Sequence, residues 1–539
     1  MAFNLILYLC NIFTDLKRTF TLIFLCALLL QACNWFKKTP EVGLVLAEHF
    51  KNKLYKDFDT AAYNQVFNQR LEESRKHLTN PKTLKAYYEH KGGSPVFVTH
   101  HYVNGDLDSL ISYLEKSGEH GFNPSLFGLK RLKELKMSLD ANDFKTIDAL
   151  YPVVADLELN ASESLIKYYG FVNFGVLNPR KILSRYYIPV KRQDSAGIVK
   201  LLDARNYAAE LSAAQPKSAQ YAALKKELAR HNLKDTADQR ARTILVNMER
   251  LRWKLPETGT QYVEVNIPDF SLTWFKDGDT LKNMKVCVGG KREQGYEEKI
   301  KAYLKSGKLD DKPKNHETPI LFSKLNSIQV NPVWNIPASI AQSEIYYQAA
   351  RDPYYLSNSN IKVYYKGQLV TDPDTIQWNH YSRERLPFKF KQGSGGGNAL
   401  GKFKFIFDNG SSIYLHDTNN KSAFARANRA ISHGCVRVEK PLEFAEMLVN
   451  DKYQFDQLRM EVNLPPLDTT KMEVYKKKLA KKADTVNVFE LKPKWFSTKK
   501  QVPLIINYIT AWWQNGALQV RPDVYGLDET LWSKLQKFL

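Results

Sequence analysis

The chain has 539 residues, several times the usual size of one domain, and 43% of them are hydrophobic, which excludes a disordered chain and predicts two or three folded units. Its 78 Lys and Arg residues exceed its 57 Asp and Glu residues by 21, which predicts an anionic partner such as nucleic acid, anionic lipid or a carboxylate-bearing polymer. No RNA-binding or helix-turn-helix pattern occurs, so nucleic acid is not expected.

The first predicted element is an export signal over residues 1–33. Lys17 and Arg18 precede an apolar run at 20–30 that is too short to span a bilayer, and a small residue then precedes Cys33. Residues 30–33 resemble a lipobox, which predicts that Cys33 is lipidated as the mature N-terminus. An uncleaved anchor is the alternative. In either case we expect the rest of the chain to lie in the periplasm or cell envelope, and lipidation of Cys33 would anchor it to a membrane.

Residues 34–256 are predicted to form a mostly helical domain, because apolar residues recur at helical spacing between charged ones. A helix is predicted over 240–254 and ends before the Pro- and Gly-containing stretch 256–260. The segment contains no phosphate-binding loop, metal-ligand spacing or tandem repeat. We therefore expect it to serve as a scaffold.

From residue 257 onward the pattern changes to the alternation typical of strands. The predicted strands are 262–267, 271–275, 285–288, 403–407, 412–416 and 502–508. Asp277-Gly278 predicts a hairpin turn, and a helix is predicted to begin near Pro441. The fold class is thus α+β, with a helical N-terminal domain followed by a β-rich domain over 257–539.

A long stretch inside the β-rich domain, residues 338–395, lacks a regular pattern. It is rich in Pro, Tyr and Asn and is followed by three glycines. Long irregular insertions in compact domains are usually lids or binding loops. We expect this insertion to cap a cleft.

The chemistry is predicted to lie at His416 and Cys435. Alternation places Tyr414 and His416 on one face of their strand, and Cys435 and Arg437 on one side of theirs. Of the five cysteines, Cys435 is the one set beside two histidines and an arginine, a combination able to lower the pKa of its thiol and support acyl transfer.

Two other interpretations of these residues remain open. His416, His433 and Cys435 could ligate zinc, although no convincing fourth ligand or CxxC pattern is present, so neither a metal nor a cofactor is expected. The His-Gly-Cys sequence could also be a purely structural turn.

At these positions the sequence resembles the L,D-transpeptidases with a YkuD-type catalytic domain. The signature of that family is a strand that carries a histidine, followed by Ser-His-Gly-Cys-x-Arg. Residues 416–418 and 432–437 resemble it. Further similar blocks occur in the same order at 265–268, 318–319, 331–337 and 398–401, and the resemblance covers about residues 250–530. The helical half resembles the scaffold domain of the long, YcbB-like subclass.

The resemblance implies a role for each site residue. Cys435 would be the nucleophile and His416 its base, oriented by the carbonyl of Asp417, while the N–H groups of Gly434 and Cys435 would hold the oxyanion and His433 would shape the loop. The residues expected to contact substrate are Arg437, which would bind the donor's carboxylate, and Ser432, Asn398, Trp334 and Tyr414, with Tyr364 and Trp378 as further aromatic candidates in the insertion.

The activity that the resemblance implies is peptidoglycan cross-linking. Cys435 would form a thioester with a tetrapeptide donor stem, terminal D-Ala would leave, and a diaminopimelate amine of an acceptor stem would resolve the thioester into a 3→3 link. With water as acceptor, the same site would be an L,D-carboxypeptidase or hydrolase. A non-catalytic wall-binding lipoprotein is the alternative from another class.

Overall fold

The protein, in a computed structural model that describes residues 39–232, 237–483 and 491–539, is about 49% helical and 17% strand. This content, with helices first and strands later, confirms the predicted α+β class. The predicted signal segment and its Cys33 lie outside the described residues. In the described ranges every helix is too short or too polar to cross a bilayer.

The described residues divide into two compact units, one formed by 39–173 with 193–215 and the other by 174–192 with the described part of 216–539. The α-helices of the first unit are Glu41–His49, Thr60–Ser74, Pro81–His90, Asp106–Glu115, Leu129–Asp140, Ile147–Phe174, Ser195–Leu202 and Tyr207–Ala214. The last residue of the long helix, Phe174, already belongs to the second unit.

The long helix of the first unit carries a fully buried carboxylate, Glu158. Its oxygens accept hydrogen bonds from the three successive N–H groups of residues 96–98, at 2.8 to 3.1 Å, and from the Tyr88 hydroxyl at 2.8 Å. These N–H groups begin the short helix Phe97–Tyr102, whose first donors have no partners within the helix. Glu158 therefore satisfies buried backbone donors and has a structural role.

The second unit is built on a nine-stranded sheet. Its strands, with those of two smaller sheets, are β1 (Gln261–Asn266), β2 (Ser271–Lys276), β3 (Asp279–Gly289), β4 (Leu321–Val330), β5 (Trp334–Ile336), β6 (Ile361–Tyr365), β7 (Gln368–Leu369), β8 (Phe388–Gln392), β9 (Phe403–Phe407), β10 (Leu415–His416), β11 (Ala430–Ser432), β12 (Val436–Val438), β13 (Lys494–Asn507), β14 (Ala511–Gln514) and β15 (Ala517–Val520). The order in the main sheet is β11-β3-β12-β10-β9-β4-β13-β1-β2, and pairing of β2 with β3 closes it into a ring.

Most predicted strands of this sheet are confirmed. The strand predicted over 403–407 has those bounds. The strand predicted over 502–508 belongs to the main sheet as expected, in β13 between β1 and β4, but it is not the last strand, because β14 and β15 follow it. Asp277 and Gly278 form the tight turn between β2 and β3, both with positive φ. The strand predicted over 412–416 is wrong in its first half: Ser412 has φ of 54°, because a turn held by Asn409 precedes β10.

The second unit contains both α-helices that pack on the main sheet and shorter α-helices that belong to the insertion. They are Pro179–Ile182, Ala219–Leu228, Gln239–Arg252, Tyr296–Ser306, Ala338–Ile340, Tyr346–Arg351, Tyr355–Asn358, Pro441–Leu448, Lys452–Glu461, Met472–Ala483 and Leu527–Leu535. The helix predicted near Pro441 begins at that residue. Its Phe444 packs edge-on against Phe405 of β9 and Trp274 of β2, with ring centroids 4.7 and 5.9 Å apart, so it anchors the helix over the strands that carry the site.

The insertion differs from its prediction as an irregular stretch. β5, β8, β6 and β7 form a four-stranded sheet, and short helices pack on it around Trp378, Phe390 and Leu356 in a separate hydrophobic core. β5 and β7 have three and two residues and carry little periodic signal, whereas β8 alternates between buried and exposed residues and was missed. The insertion is therefore a small ordered subdomain.

Candidate active site

A cleft of about 930 Å³ opens beside the central strands of the main sheet. His416 and Cys435 both line it, together with residues from the insertion and from the loop that precedes β4. The predicted nucleophile and base therefore face the same cavity. Parallel pairing places His416 of β10 opposite Arg437 of β12, and Cys435 lies in the bend that leads directly into β12.

The loop that carries Cys435 is braced from both sides. Gly434 has φ of 117°, in the region that favours glycine. The Gly434 N–H donates to Ser432 Oγ at 3.1 Å, and the Ser432 hydroxyl donates to the Cys435 carbonyl at 2.6 Å. On the other side Thr318 Oγ1 donates to the Gly434 carbonyl at 2.9 Å. The Ser432 hydroxyl is thus committed to the loop, and the Gly434 N–H points at it.

His416 is buried and oriented by a backbone carbonyl. Its Nδ1 donates to the carbonyl oxygen of Asp417, the partner predicted for it. A carbonyl only accepts, so the proton is on Nδ1 and Nε2 is free to accept one. Burial, followed by the Arg437 and Lys404 charges, lowers the pKa of His416 to about 3. The imidazole is consequently neutral at neutral pH, as a general base must be.

The Asp417 side chain fixes the turn that follows His416. Its carboxylate accepts from the N–H groups of Lys402 and Thr418 at 2.8 and 2.7 Å and pairs with Lys421. A Cβ at Gly401 would lie 2.4 Å from this carboxyl group. The glycine is therefore required for the close approach of the two segments.

The thiol of Cys435 is in contact with Tyr414. The backbone N–H and the hydroxyl of Tyr414 both act to lower the pKa of the thiol. Burial raises the pKa of the Cys435 thiol, although Tyr414, Lys404 and Arg437 each oppose this effect. The expectation of a lowered thiol pKa is thus wrong for the free protein, because the cost of burying the charge exceeds the attraction of its neighbours.

The cleft carries a strong excess of positive charge. The cationic residues that line it are Arg185, Lys312, Lys314, Arg383, Lys404 and Arg437, against the acidic Glu293 and Asp310. The buried Nε of Arg437 has no hydrogen-bond partner among the described residues. A guanidinium with an unused donor suits a bound carboxylate, which is the role predicted for Arg437.

His433 connects the nucleophile loop to the insertion. Its Nε2 lies 2.6 Å from the Glu344 carboxylate, which belongs to the insertion, and its ring centroid lies 4.4 Å from that of His316. The hydrogen bond from His433 lowers the pKa of Glu344, and burial lowers that of His316 to about 4. Glu344 and His316 were not predicted, because they are distant in sequence and belong to no motif.

The other predicted contact residues divide into two groups. Trp334 and Tyr414 line the cleft. Asn398 is buried beside it, where its amide donates to the carbonyls of residues 332 and 393 and its oxygen accepts from the Leu400 N–H at 2.7 Å. Trp378 packs in the core of the insertion, and the Tyr364 ring lies under Lys391.

The zinc alternative receives no support from the geometry. Within the three described ranges, no group of three or more His, Cys, Asp or Glu side chains is arranged to hold a metal ion.

Comparison with known proteins identifies the class to which this fold and site belong. Residues 260–474 match the YkuD family, described as the L,D-transpeptidase catalytic domain, and residues 82–228 match the Scaffold domain family. A Haemophilus influenzae protein named "Putative L,D-transpeptidase" is 28% identical over 302 residues, which cover 55% of this chain and 51% of that protein. The chain thus spans about half the length of the curated relative that it matches.

Residues 260–474 thus form a YkuD-type L,D-transpeptidase catalytic domain, as the resemblance implied. The preceding scaffold domain is consistent with the long scaffolded subclass, as the resemblance implied.

Proposed function

We propose that this protein is a peptidoglycan L,D-transpeptidase that forms 3→3 cross-links through a thioester on Cys435. The observation that carries the proposal is that the Cys435 thiol and the neutral His416 imidazole line one cation-rich cleft. Stem peptides of the wall carry several carboxylates, and a cavity with six cationic and two acidic side chains attracts such a ligand.

The first half of the reaction is acylation. His416 Nε2 takes the thiol proton, and the sulfur attacks the carbonyl carbon that joins the L-centre of meso-diaminopimelate to the terminal D-Ala of the donor. The C–N bond then breaks, His416 returns the proton to the leaving amine, and D-Ala departs. With the Gly434 N–H donating to Ser432, the Cys435 N–H is the better candidate for an oxyanion donor, worth about 3 kcal/mol.

The second half transfers the acyl group. The side-chain amine of an acceptor stem attacks the thioester, its proton passes to His416, and the sulfur leaves as a thiolate that recovers this proton. Water in place of the amine would make the protein a carboxypeptidase. The insertion, which supplies Ser339 and Ser343 to the cleft wall, limits the access of water to the thioester.

The proposed place of action is the periplasmic face of the envelope, where the wall lies. It rests on the predicted signal over residues 1–33, and the predicted lipid at Cys33 would hold the protein to a membrane. The proposed partners are therefore donor and acceptor stems and a membrane surface.

The proposal is tested with a carbapenem, whose strained amide acylates a nucleophilic cysteine. We expect intact mass spectrometry to find one adduct on the wild type and on Cys287→Ala, the matched control at a buried cysteine, and none on Cys435→Ala. An absence of adduct on the wild type would favour the wall-binding alternative.

Muropeptide analysis then identifies the acceptor. Cells that express the wild type should contain 3→3 dimers that cells with Cys435→Ala lack. Tripeptide stems without dimers would mean hydrolysis, and equal dimers in both strains would contradict the proposal.

A further inference from the structure

Lys404 lies in the same row of side chains as the base. β9 pairs with β10 so that Lys404 is directly opposite His416, and His416 is opposite Arg437 on its other side. The neighbours of Lys404 on β9, Phe403 and Phe405, are buried in the core, so alternation directs Lys404 to the cleft. Two cations therefore flank His416 within the cleft.

The ammonium group of Lys404 is directed towards the nucleophile. Its Nζ lies 3.8 Å from the centroid of the Tyr414 ring, within the range of a strong cation–π contact. The carbonyl of the same Tyr414 accepts a hydrogen bond from the Val436 N–H at 3.1 Å, which places Tyr414 beside Cys435. The N–H and the hydroxyl of Tyr414 both favour a negative sulfur. The Lys404 ammonium thus lies over the Tyr414 ring, and Tyr414 lies beside Cys435.

The charges of Lys404 and Arg437 do not affect the Cys435 sulfur equally. Lys404 opposes the effect of burial on the pKa of Cys435 more strongly than Arg437 does. A cation over the face of a phenol also makes its O–H a stronger donor, because the charge draws electron density from the ring. Lys404 therefore favours a negative sulfur both directly and through Tyr414.

We propose that Lys404 is a positioning residue whose ammonium, acting through the Tyr414 hydroxyl, stabilises the thiolate of Cys435. When the proton leaves the sulfur for His416 Nε2, the negative charge left on the sulfur faces this pair. The neutral Cys435 thiol can then give its proton to the neutral His416 imidazole although both groups are buried. This inference extends the proposed function, but it concerns the thiol itself and does not depend on the acceptor.

The test is the pH dependence of alkylation of Cys435 by iodoacetamide, measured between pH 7 and 10 by peptide mass spectrometry. Iodoacetamide reacts with the thiolate, so its rate reports the fraction ionised. The charged and titratable groups that face the sulfur are Lys404 from β9, Tyr414 and His416 from β10, and Arg437 from β12. Removing an opposite charge at this range in Lys404→Met should lower the rate at pH 8 about threefold to tenfold and shift the profile to higher pH.

Two further variants make the test specific. Lys404→Arg retains the charge and should restore most of the rate. Lys391→Met removes a similar lysine–tyrosine contact, 4.7 Å over Tyr364 in the insertion, and should leave the profile unchanged.

A Lys404→Met profile that coincides with the wild type would overturn the inference. So would an equal slowing at every pH, because that result means altered access and not altered ionisation. Since alkylation needs no stem peptide, this outcome is distinguishable from failure of the transpeptidase proposal, in which no 3→3 dimer forms although the thiol responds to Lys404.

Discussion

His416 should act as a base down to unusually low pH. It is buried between Arg437 and Lys404, so its imidazolium form is disfavoured and its pKa falls to about 3. Because the group is required in its neutral form, lowering the pH from 7 to 5 should change the rate of carbapenem acylation less than about twofold, whereas a histidine of ordinary pKa would cause a loss of about 20-fold. Stopped-flow acylation at several pH values measures this.

The matched variant is Arg437→Met, which removes one flanking charge. Its His416 should be protonated more easily, so the acidic decline of the acylation rate should begin at higher pH than in the wild type. An inflection near pH 6.5 in the wild type would contradict the neutral, charge-flanked imidazole described above.

Single residues differ in how far the sequence alone predicts them. His416 and Cys435 belong to a local signature, and the alternation in 403–405 contains the information that Lys404 faces away from the core. What the sequence lacks is the pairing of β9 with β10, which brings Lys404 to His416. The raised pKa of Cys435 was also missed, because desolvation depends on every element that covers the sulfur.

At the level of elements, the insertion and the nucleophile loop meet through Glu344 and His433. Glu344→Ala removes this contact, and we expect the share of hydrolysis over transfer to increase twofold to fivefold, because a looser insertion admits water to the thioester. The magnitude follows from the value of a half-exposed polar side-chain contact, about 0.2 to 1 kcal/mol. Chromatography of products from a tetrapeptide donor and an amine acceptor measures the ratio.

Glu384→Ala is the control for this prediction. Glu384 also lies in the insertion, but it pairs with Arg383 at 3.5 Å and its side chain is similarly exposed. The Glu384→Ala variant should leave the ratio of hydrolysis to transfer unchanged. An increase of the same size in both variants would mean that the insertion responds to charge in general and that the contact with His433 has no special part.

Elements with a long period-two pattern were predictable, and elements held by distant partners were not. β9 has alternating buried phenylalanines and was predicted to the residue. β10 has two residues, too few to show an alternation of their own. They form a strand because they pair with β9 and β12 on either side. β5 and β7 of the insertion are likewise too short to show a pattern, but β8 alternates as β9 does and could have been predicted.

For the whole molecule, the division into units does not follow the predicted boundary between residues 256 and 257. The helix Gln239–Arg252 belongs to the same unit as the sheet. Its Asn247 hydrogen-bonds with Thr510, and its buried Arg250 lies 2.6 Å from the carboxylate of Asp528. Residues that precede the catalytic strands in sequence therefore complete the core beneath them, and the predicted boundary stays a hypothesis to be tested.

The Arg250–Asp528 pair provides that test, because it joins positions on either side of the predicted boundary. Breaking a buried ion pair by removing one partner leaves an uncompensated charge and costs about 3 kcal/mol or more. Asp528→Ala should therefore lower the melting temperature of the catalytic unit. This temperature is measured as the point at which carbapenem acylation is lost on heating. Lys476→Ala, which removes an exposed pair with Glu473, is the control and should change it little. If Asp528→Ala melts like the control, residues 239–252 add nothing to the stability of the sheet, and a unit that begins at residue 257 becomes the better description.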